Sequence, residues 1–308
     1  MAVAFLFPGQ ASQFVGMGKD LYEASPEAKA VYDRADDVLG FSLTEICFSG
    51  PEDSLKQTAV TQPAVFTHSM AGLELLKLRG VKPDAVAGHS VGELAALVGA
   101  GVLGLEDGLH LVRARGKAMQ EAGEAGAGTM AAVLGLDDGA AETLCAKAAE
   151  GDVLQAANFN CPGQVVISGG VDAVRRAVEA AKAAGARRAL ELPVSGAFHS
   201  ALMAPALVPL QEALEAVVFH PAVVPVYPNV TGEPTQDPEV LKDLLLKQLT
   251  SSVQWTASMG RMTEDGITRA YEIGPGATLK GLMKRIDASV EVRTMGTWEE
   301  IREAGEKG

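Results

Sequence analysis

The stretch Asp84-Ala-Val-Ala-Gly-His-Ser-Val-Gly-Glu-Leu-Ala-Ala-Leu97 decides how the rest of the chain is interpreted. A short run of small and β-branched apolar residues, typical of a buried strand, leads into Gly88-His-Ser-Val-Gly92. The chain leaves through residues that favour a helix. G-x-S-x-G between a strand and a helix is typical of a nucleophile elbow. We therefore interpret Ser90 as a candidate nucleophile, the alternative being a glycine-rich turn with an incidental serine.

The spacing of the two glycines has a physical reason. The backbone of a serine at such a sharp turn is strained, so the residues two before and two after it must be small enough for neighbouring backbone to pass. The helix that follows directs its N-terminal N–H groups and its positive dipole end toward Ser90. An oxyanion that develops beside this serine would therefore be stabilised.

Composition limits the classes of protein to which the chain can belong. Its 308 residues provide one large domain or two, with ample material for a buried core. An apolar fraction of 47% and a charged fraction of 21% are ordinary for a soluble globular protein. The net charge of −13 argues against nucleic acid as a partner.

Cysteine usage and hydropathy predict a cytoplasmic protein. The three cysteines Cys47, Cys145 and Cys161 are far apart and follow no metal-type spacing, so we expect neither a metal site nor a disulfide framework. The N-terminal apolar run has no basic region before it and ends at Pro8-Gly9, which favours a first core strand over a signal peptide. No apolar run approaches membrane-spanning length, and we expect no membrane association.

The outer parts of the chain predict a parallel α/β sheet with helices between its strands. Strands are predicted at residues 3–7, 84–88, 223–227 and 269–273. The first strand runs directly into the loop Pro8-Gly9-Gln10 at its carboxyl end, where α/β sheets place ligands.

The central part of the chain predicts a different order of strands and helices. After a flexible small-residue connector at residues 121–128, the pattern predicts strand 129–136, helix 138–149, strands 153–160 and 164–169, helix 171–185 and strand 187–193. This βαββαβ order is ferredoxin-like. We predict an α/β fold: a large α/β-hydrolase-like parallel-sheet subdomain (residues 1–125 and 195–308) with an inserted ferredoxin-like small subdomain (residues 126–194). We expect the active site in the cleft between the two.

A base for Ser90 must be one of five histidines. His89 is adjacent to the serine, so its side chain would point away from it at an elbow. His68 and His110 lie in helical patterns, and His220 precedes a proline in a loop. His199 follows the last predicted strand of the insertion, where the chain rejoins the large subdomain. Position alone favours His199 without excluding the others.

Several segments together resemble one family, the malonyl-CoA:acyl carrier protein transacylases of fatty-acid synthesis. The matching segments, in order, are Phe7-Pro-Gly-Gln-Ala-Ser-Gln13, Thr61-Gln-Pro63, Gly88-His-Ser-Val-Gly-Glu93, Arg115-Gly-Lys117, Asn158-Phe-Asn160, Pro162-Gly-Gln164, Gly196-Ala-Phe-His199, and Gln248 ahead of Val253-Gln-Trp255. Two positions depart from the family pattern. Ala11 replaces the usual glycine, and Val91 replaces a common leucine.

The resemblance implies a catalytic role for five residues. Ser90 would be the nucleophile, and His199 would take its proton and return it to the departing thiol. The main-chain carbonyl of Gln248 would orient His199 in place of an acidic third member. The N–H groups of Gln10 and Val91 would form the oxyanion hole.

The resemblance also implies how the acyl group is selected. Arg115 would bind the free carboxylate of a malonyl group, which an acetyl group lacks; without the resemblance, a surface arginine on a helix is the simpler interpretation. Phe198 would leave no room for an α-methyl group. Further polar contacts to the acyl group or to pantetheine are expected from Gln62, Asn158 and Asn160.

The expected reaction moves malonyl from malonyl-CoA through a serine ester to the phosphopantetheine thiol of acyl carrier protein, releasing CoA. The resemblance implies no bound cofactor and a monomer. Carrier proteins in such systems are acidic, so docking requires a local basic patch, for which the candidates are Arg187, Arg188, Lys284 and Arg285. Alternatives are a free-standing polyketide-type acyltransferase, a serine thioesterase or hydrolase, and a non-catalytic carrier-binding subunit.

Overall fold

A computed structural model describes residues 2–304, in which nine strands form two separate sheets. The strands are β1 (Ala2–Phe7), β2 (Ala85–Gly88), β3 (Gly128–Leu134), β4 (Leu154–Cys161), β5 (Gln164–Gly170), β6 (Arg188–Glu191), β7 (Val226–Tyr227), β8 (Ile267–Glu272) and β9 (Glu291–Thr294).

Helices cover both faces of the larger sheet and one face of the smaller one. They are α1 (Lys19–Ala24), α2 (Pro26–Leu39), α3 (Leu43–Ser49), α4 (Glu52–Leu55), α5 (Thr58–Leu78), α6 (Gly92–Gly99), α7 (Leu105–Ala125), α8 (Asp138–Ala149), α9 (Val171–Ala181), α10 (Leu207–Glu215), α11 (Pro238–Lys247), α12 (Trp255–Glu264), α13 (Thr278–Ile286) and α14 (Trp298–Ala304), with a 3₁₀ helix at Ala201–Ala206. Within residues 2–304, none of these helices is long and apolar enough to cross a membrane.

The larger sheet is parallel and has the order β7-β2-β1-β8-β9. Its central strand β1 is buried from Ala4 to Phe7, as expected for a strand covered on both faces. The chain goes from β1 to β2 on one side, whereas β8 lies on the other. The carboxyl ends of β1 and β2 therefore meet where the strand order reverses, which is where α/β sheets bind ligands.

The smaller sheet is antiparallel, with the order β4-β5-β3-β6 expected of a ferredoxin-like unit. Alternate residues of β3 point to opposite faces. Ala131 and Val133 pack with α8 and α9 in a separate core, whereas Met130 and Ala132 face the large subdomain. The two sheets confirm the predicted fold class.

The edge strand β4 connects the small sheet to the rest of the molecule. Phe159 N–H donates to Val253 O at 2.9 Å, and Val253 N–H donates to Ala157 O at 2.8 Å. Ser252 Oγ–H donates to Ala156 O at 2.6 Å. All four strands of the small sheet lie between residues 128 and 191, and the boundaries at 126 and 194 stay a prediction.

One predicted connection differs in the structure. The predicted flexible connector at residues 121–128 is wrong for its first half, because α7 continues to Ala125. Gly123 does not break the helix. A Cβ at this position would lie 2.5 Å from Ser195 O, so the glycine allows α7 to approach the chain that returns from the small sheet.

Candidate active site

Ser90 sits on a strained turn between β2 and α6. Its φ is +52°, in the left-handed region that L-residues rarely adopt. A Cβ on Gly88 would overlap the carbonyl oxygen of Gly92, and a Cβ on Gly92 would overlap that of Phe7. Both glycines of G-x-S-x-G are therefore required by backbone packing, as the motif predicts.

The serine side chain is hydrogen-bonded to a buried histidine. Ser90 Oγ lies 2.7 Å from His199 Nε2, and His199 Nδ1 lies 2.9 Å from Gln248 O. A carbonyl can only accept, so Nδ1 carries the proton and Nε2 is free to accept the serine proton. Burial, reinforced by the charge of Arg115, lowers the pKa of His199 to about 3. The imidazole is therefore neutral near pH 7, as a general base must be.

His199 itself has a strained backbone, with φ at +57°. Gln155 of β4 holds this turn: its Nε2–H donates to His199 O at 3.2 Å, and its Oε1 accepts from Ala201 N–H at 3.3 Å. The small subdomain thus contributes to the position of the histidine. Gln155 was not found from the sequence, because no spacing relates it to His199.

The predicted oxyanion donors are the backbone N–H groups of Gln10 and Val91. Val91 follows Ser90 in the chain, and the loop of Gln10 reaches the elbow. Within residues 2–304, neither donates to another protein group. The loop after β1 reaches the elbow because residue 9 is glycine: a Cβ there would lie 2.7 Å from His89 O. Ala11 follows with φ at +77°, which explains why glycine is usual at this position.

Arg115 lies behind Ser90 and is fully buried. Its Nη2 donates to Ser90 Oγ at 3.2 Å and to Gln248 Oε1 at 2.7 Å, and its Nη1 donates to Gln62 Oε1 at 2.7 Å. Its Nε has no partner within residues 2–304. Burial lowers the pKa of Arg115 to about 10, so the guanidinium remains cationic at neutral pH. Arg115 is therefore not a surface helix residue.

A cavity of about 280 Å³ opens between the two subdomains at Ser90. Candidate residues that line it are Gln10, Ser90, Asn158, Asn160, Phe198 and His199. Gln62, Arg115 and Gln248 form a layer of hydrogen bonds behind it. Much of the remaining wall is apolar and comes from the inner face of the small sheet, including Met130, Val166 and Leu192.

Asn160 and Gln62 are engaged inside the protein. Asn160 Oδ1 lies 2.8 Å from Nε2 of His89, whose ring packs against Trp255. His89 is thus bound to the β4 strand, which is a structural role. Gln62 binds the guanidinium of Arg115. It therefore lies behind the cavity, in contact with Arg115.

Sequence reasoning missed Asn229 and Glu93. Asn229 Oδ1 accepts from Ser90 N–H at 2.7 Å, and its Nδ2–H donates to Gly88 O at 2.7 Å, so one side chain binds both sides of the elbow. Glu93 Oε2 accepts from Asn229 N–H and from Gln248 Nε2–H, both at 2.8 Å. Burial raises the pKa of Glu93 to about 7. Glu93 was visible in the elbow motif, whereas Asn229 has no sequence signal.

One residue of each basic pair, Arg187 and Arg285, lies beside the same pair of turns. Gly135 N–H donates to Gly163 O at 2.9 Å, so the turn after β3 contacts the β4–β5 turn. Arg187 packs against Gly135, and Arg285 donates to Gln164 Oε1 at 2.8 Å, at the rim of the cavity. We name these exposed residues the basic patch: Arg187, Arg188, Lys284 and Arg285. Within residues 2–304, none of the four forms a salt bridge.

Comparison with known proteins agrees with this geometry. Residues 4–299 match the family described as the acyl transferase domain. The malonyl CoA-acyl carrier protein transacylase of Bacillus subtilis is 45% identical over 286 residues, which cover 92% of this chain and 90% of that protein.

Solved structures give the same result. An acyl carrier protein S-malonyltransferase from Vibrio cholerae is similar with a TM-score of 0.95 at 42% identity, covering 99% of this chain and 100% of that one. A malonyl-transacylase in complex with its type II PKS acyl-carrier protein has a TM-score of 0.96 at 41% identity, covering 100% of both chains. The resemblance seen in the sequence is confirmed: the chain is an acyltransferase and belongs to the family of malonyl CoA-acyl carrier protein transacylases.

Proposed function

We propose that this chain transfers malonyl from malonyl-CoA to the phosphopantetheine thiol of acyl carrier protein through a malonyl-serine intermediate, supplying fatty-acid elongation. One observation carries the proposal. Ser90 Oγ lies within hydrogen-bond distance of both His199 Nε2 (2.7 Å) and Arg115 Nη2 (3.2 Å). The nucleophile, its base and a cation for the substrate carboxylate therefore converge on one atom.

In the first half-reaction, His199 Nε2 accepts the Ser90 proton while Oγ attacks the thioester carbonyl carbon. The N–H groups of Gln10 and Val91 donate to the oxyanion. Collapse of the tetrahedral intermediate breaks the C–S bond, and the departing CoA thiolate takes the proton from His199. The Gln248 carbonyl holds the imidazolium that forms transiently, without a carboxylate, so the proposal is a Ser-His dyad.

The second half-reaction reverses the roles. The carrier thiol gives its proton to His199, and its sulfur attacks the serine ester. Collapse breaks the ester C–O bond, and Ser90 Oγ regains the proton. CoA must leave before the carrier's pantetheine enters the same cavity, so we propose a ping-pong order.

Arg115 supplies the selection for malonyl. Its Nη2 donates to Ser90 Oγ in the free enzyme, and acylation converts that oxygen into an ester oxygen, a weaker acceptor. The guanidinium is then available to bind the malonyl carboxylate, which a single methylene group separates from the ester carbonyl carbon. A neutral acyl group offers no such partner to a buried cation, which disfavours it. Phe198, which lines the cavity, would exclude an α-methyl substituent.

The carrier protein is the proposed transient partner, with the basic patch at the rim of the cavity as its docking surface. A carrier of polyketide synthesis is a second candidate, because one structurally similar transacylase was solved with a type II PKS acyl-carrier protein. We further propose a monomer that works in the cytoplasm without a bound cofactor, as the sequence implies.

Intact-protein mass spectrometry after mixing with malonyl-CoA, acetyl-CoA or methylmalonyl-CoA tests the proposal. We expect a malonyl-sized increment on the wild type and none on Ser90→Ala. Arg115→Ala should acylate about 10²-fold more slowly with malonyl-CoA, since a buried charge pair is lost. Lys117→Ala, an exposed cation on the same helix, is the matched control and should behave as wild type.

Three results would contradict parts of the proposal. No adduct with any donor would exclude the serine intermediate. Equally rapid acylation by methylmalonyl-CoA would favour a polyketide-type acyltransferase. Prompt loss of the adduct in water, without a carrier, would favour a thioesterase.

A further inference from the structure

Glu93 is a carboxylic acid beneath the nucleophile that the proposed reaction does not use. It lies in the first turn of α6, and 1% of its surface is exposed. Only one of its oxygens is engaged: Oε2 accepts two hydrogen bonds, whereas the buried Oε1 has no partner within residues 2–304. A buried carboxylic acid with one unpaired oxygen lowers the free energy of unfolding.

The first of these contacts fixes the side-chain amide of Gln248. Its Nε2 faces acceptors only: Glu93 Oε2 at 2.8 Å, Ser90 O at 3.2 Å and Asn229 Oδ1 at 3.3 Å. Its Oε1 faces a donor, Arg115 Nη2, at 2.7 Å. A flipped amide would place its N–H groups against the guanidinium and its oxygen against Glu93. Glu93 therefore helps to determine which end of Gln248 meets Arg115.

The second contact fixes the turn that carries the nucleophile. Glu93 Oε2 accepts the main-chain N–H of Asn229, whose side chain binds Ser90 N–H and Gly88 O. Asn229 thus holds Ser90 in its left-handed conformation. Glu93 Oε2 therefore binds both Asn229, which holds the elbow, and Gln248, which orients Arg115.

We propose that Glu93 is a positioning residue for acyl-group selection: its Oε2 holds Gln248, and through it Arg115, in the orientation that receives the malonyl carboxylate. This inference rests on the proposed function. The effect on acyl-group selection depends on the position of Oε2 and not on its charge. Oε2 accepts both hydrogen bonds whether or not a proton resides on Oε1. The contribution is greatest for malonyl, since acetyl makes no use of the Arg115 cation.

Two conservative variants separate reach from charge. Glu93→Gln keeps an oxygen at the Oε2 position and removes the charge, whereas Glu93→Asp keeps the charge and withdraws the oxygen by one methylene. The readout is the single-turnover rate of serine acylation by malonyl-CoA divided by that by acetyl-CoA. We expect Glu93→Asp to lower this ratio about tenfold or more, because a misplacement of about 1 Å in a site is costly. Glu93→Gln should stay within about threefold of wild type.

Leu94→Ala is the matched control, because it removes buried apolar surface from the same helix. It should lower stability and leave the ratio unchanged. The inference is overturned if Glu93→Asp keeps the wild-type ratio, if Glu93→Gln falls as far as Glu93→Asp, or if malonyl and acetyl rates fall in parallel. A wild type without a malonyl preference would instead refute the proposed function, so the two failures are distinguishable.

Discussion

At the scale of single residues, the site is built on backbone conformations that side chains ordinarily avoid. Within residues 2–304, the non-glycine residues with positive φ are Ala11, Ser90, Glu150 and His199. Three of the four belong to the loop after β1, to the proposed nucleophile and to the proposed base. Such strain persists only where surrounding contacts enforce it. Here Asn229 holds Ser90 and Gln155 holds His199.

Ala11 offers a direct measure of that strain. We expect Ala11→Gly to raise the free energy of unfolding by about 0.5–1 kcal/mol, because relief of a left-handed alanine gains about 1–2 kcal/mol and the added freedom of glycine in the unfolded chain costs about 0.4–1 kcal/mol. Urea unfolding measures the difference. Ala30→Gly, exposed within α2, is the control and should lose up to about 1 kcal/mol. A loss at both positions would show that Ala11 carries no strain.

Residues of the site differ in how far the sequence could predict them. Ser90 and Gln10 lie in motifs whose spacing reflects backbone packing, so the elbow and the first loop could be recognised. Asn229 and Gln155 could not, because each acts across a contact between segments distant in the chain. The location of Arg115 beside Ser90 likewise followed from the resemblance and not from its helical pattern.

At the scale of elements, burial patterns decided what was predictable. Continuous apolar runs such as β1 identified the central strands. Helix α2 has an equally local signal in Ser25-Pro26, where Ser25 Oγ accepts from two N–H groups of the first turn. Strand β9 was missed because it is a short edge strand that pairs only with β8, and Val292 is its one buried residue. Helix α12, which begins at Trp255 inside the Val253-Gln-Trp255 motif, was also missed.

Helix α13 depends on a carboxylate from a neighbouring strand. Glu272, the last residue of β8, is buried, and its two oxygens accept from Leu279 N–H and Lys280 N–H at 2.8 Å. The helix has no side-chain N-cap of its own. Because Leu279 and Leu282 of this helix line the cavity, Glu272 connects the stability of the fold to the shape of the site.

This cap predicts a pH dependence of stability. Burial raises the pKa of Glu272 from 4.5 to about 7 in spite of the two N–H donors. The folded-state pKa of Glu272 therefore lies above its unfolded-state pKa. In that case the contribution of Glu272 to the free energy of unfolding is fully present below pH 4.5 and is lost as the pH rises to about 7. Relative to Glu272→Gln, the wild type should lose up to about 3 kcal/mol between pH 4.5 and 8.

Urea unfolding of both proteins at several pH values measures this difference. Glu179→Gln, an exposed carboxylate on α9, controls for the loss of one charge. Parallel stability curves for the wild type and Glu272→Gln would contradict the assignment. The sign also matters: a wild type that gains stability over this range would mean that the two N–H donors outweigh burial.

At the scale of the whole molecule, the packing of the two subdomains places four basic residues on a chain whose net charge is negative. The chain carries a net charge of −13, which repels an acidic partner over most of its surface. The basic patch is the exception proposed here, and it forms only because the small sheet packs beside α13: Arg187 and Arg188 come from one subdomain, Lys284 and Arg285 from the other. Arg285 binds neutral acceptors of the β4–β5 turn, so its charge is not neutralised there.

The patch predicts that charge reversal separates the two half-reactions. Arg188→Glu with Lys284→Glu should slow transfer from the malonyl-enzyme to carrier protein by about tenfold or more, with a weaker salt dependence, because like charges then face an acidic partner. Acylation by malonyl-CoA should change far less. Lys147→Glu with Lys182→Glu, on the helical face of the small sheet, reverses the same number of charges away from the cavity. If both double variants slow carrier transfer equally, net charge and not the basic patch governs docking; if both half-reactions fall together in the first variant, these residues act on the site itself.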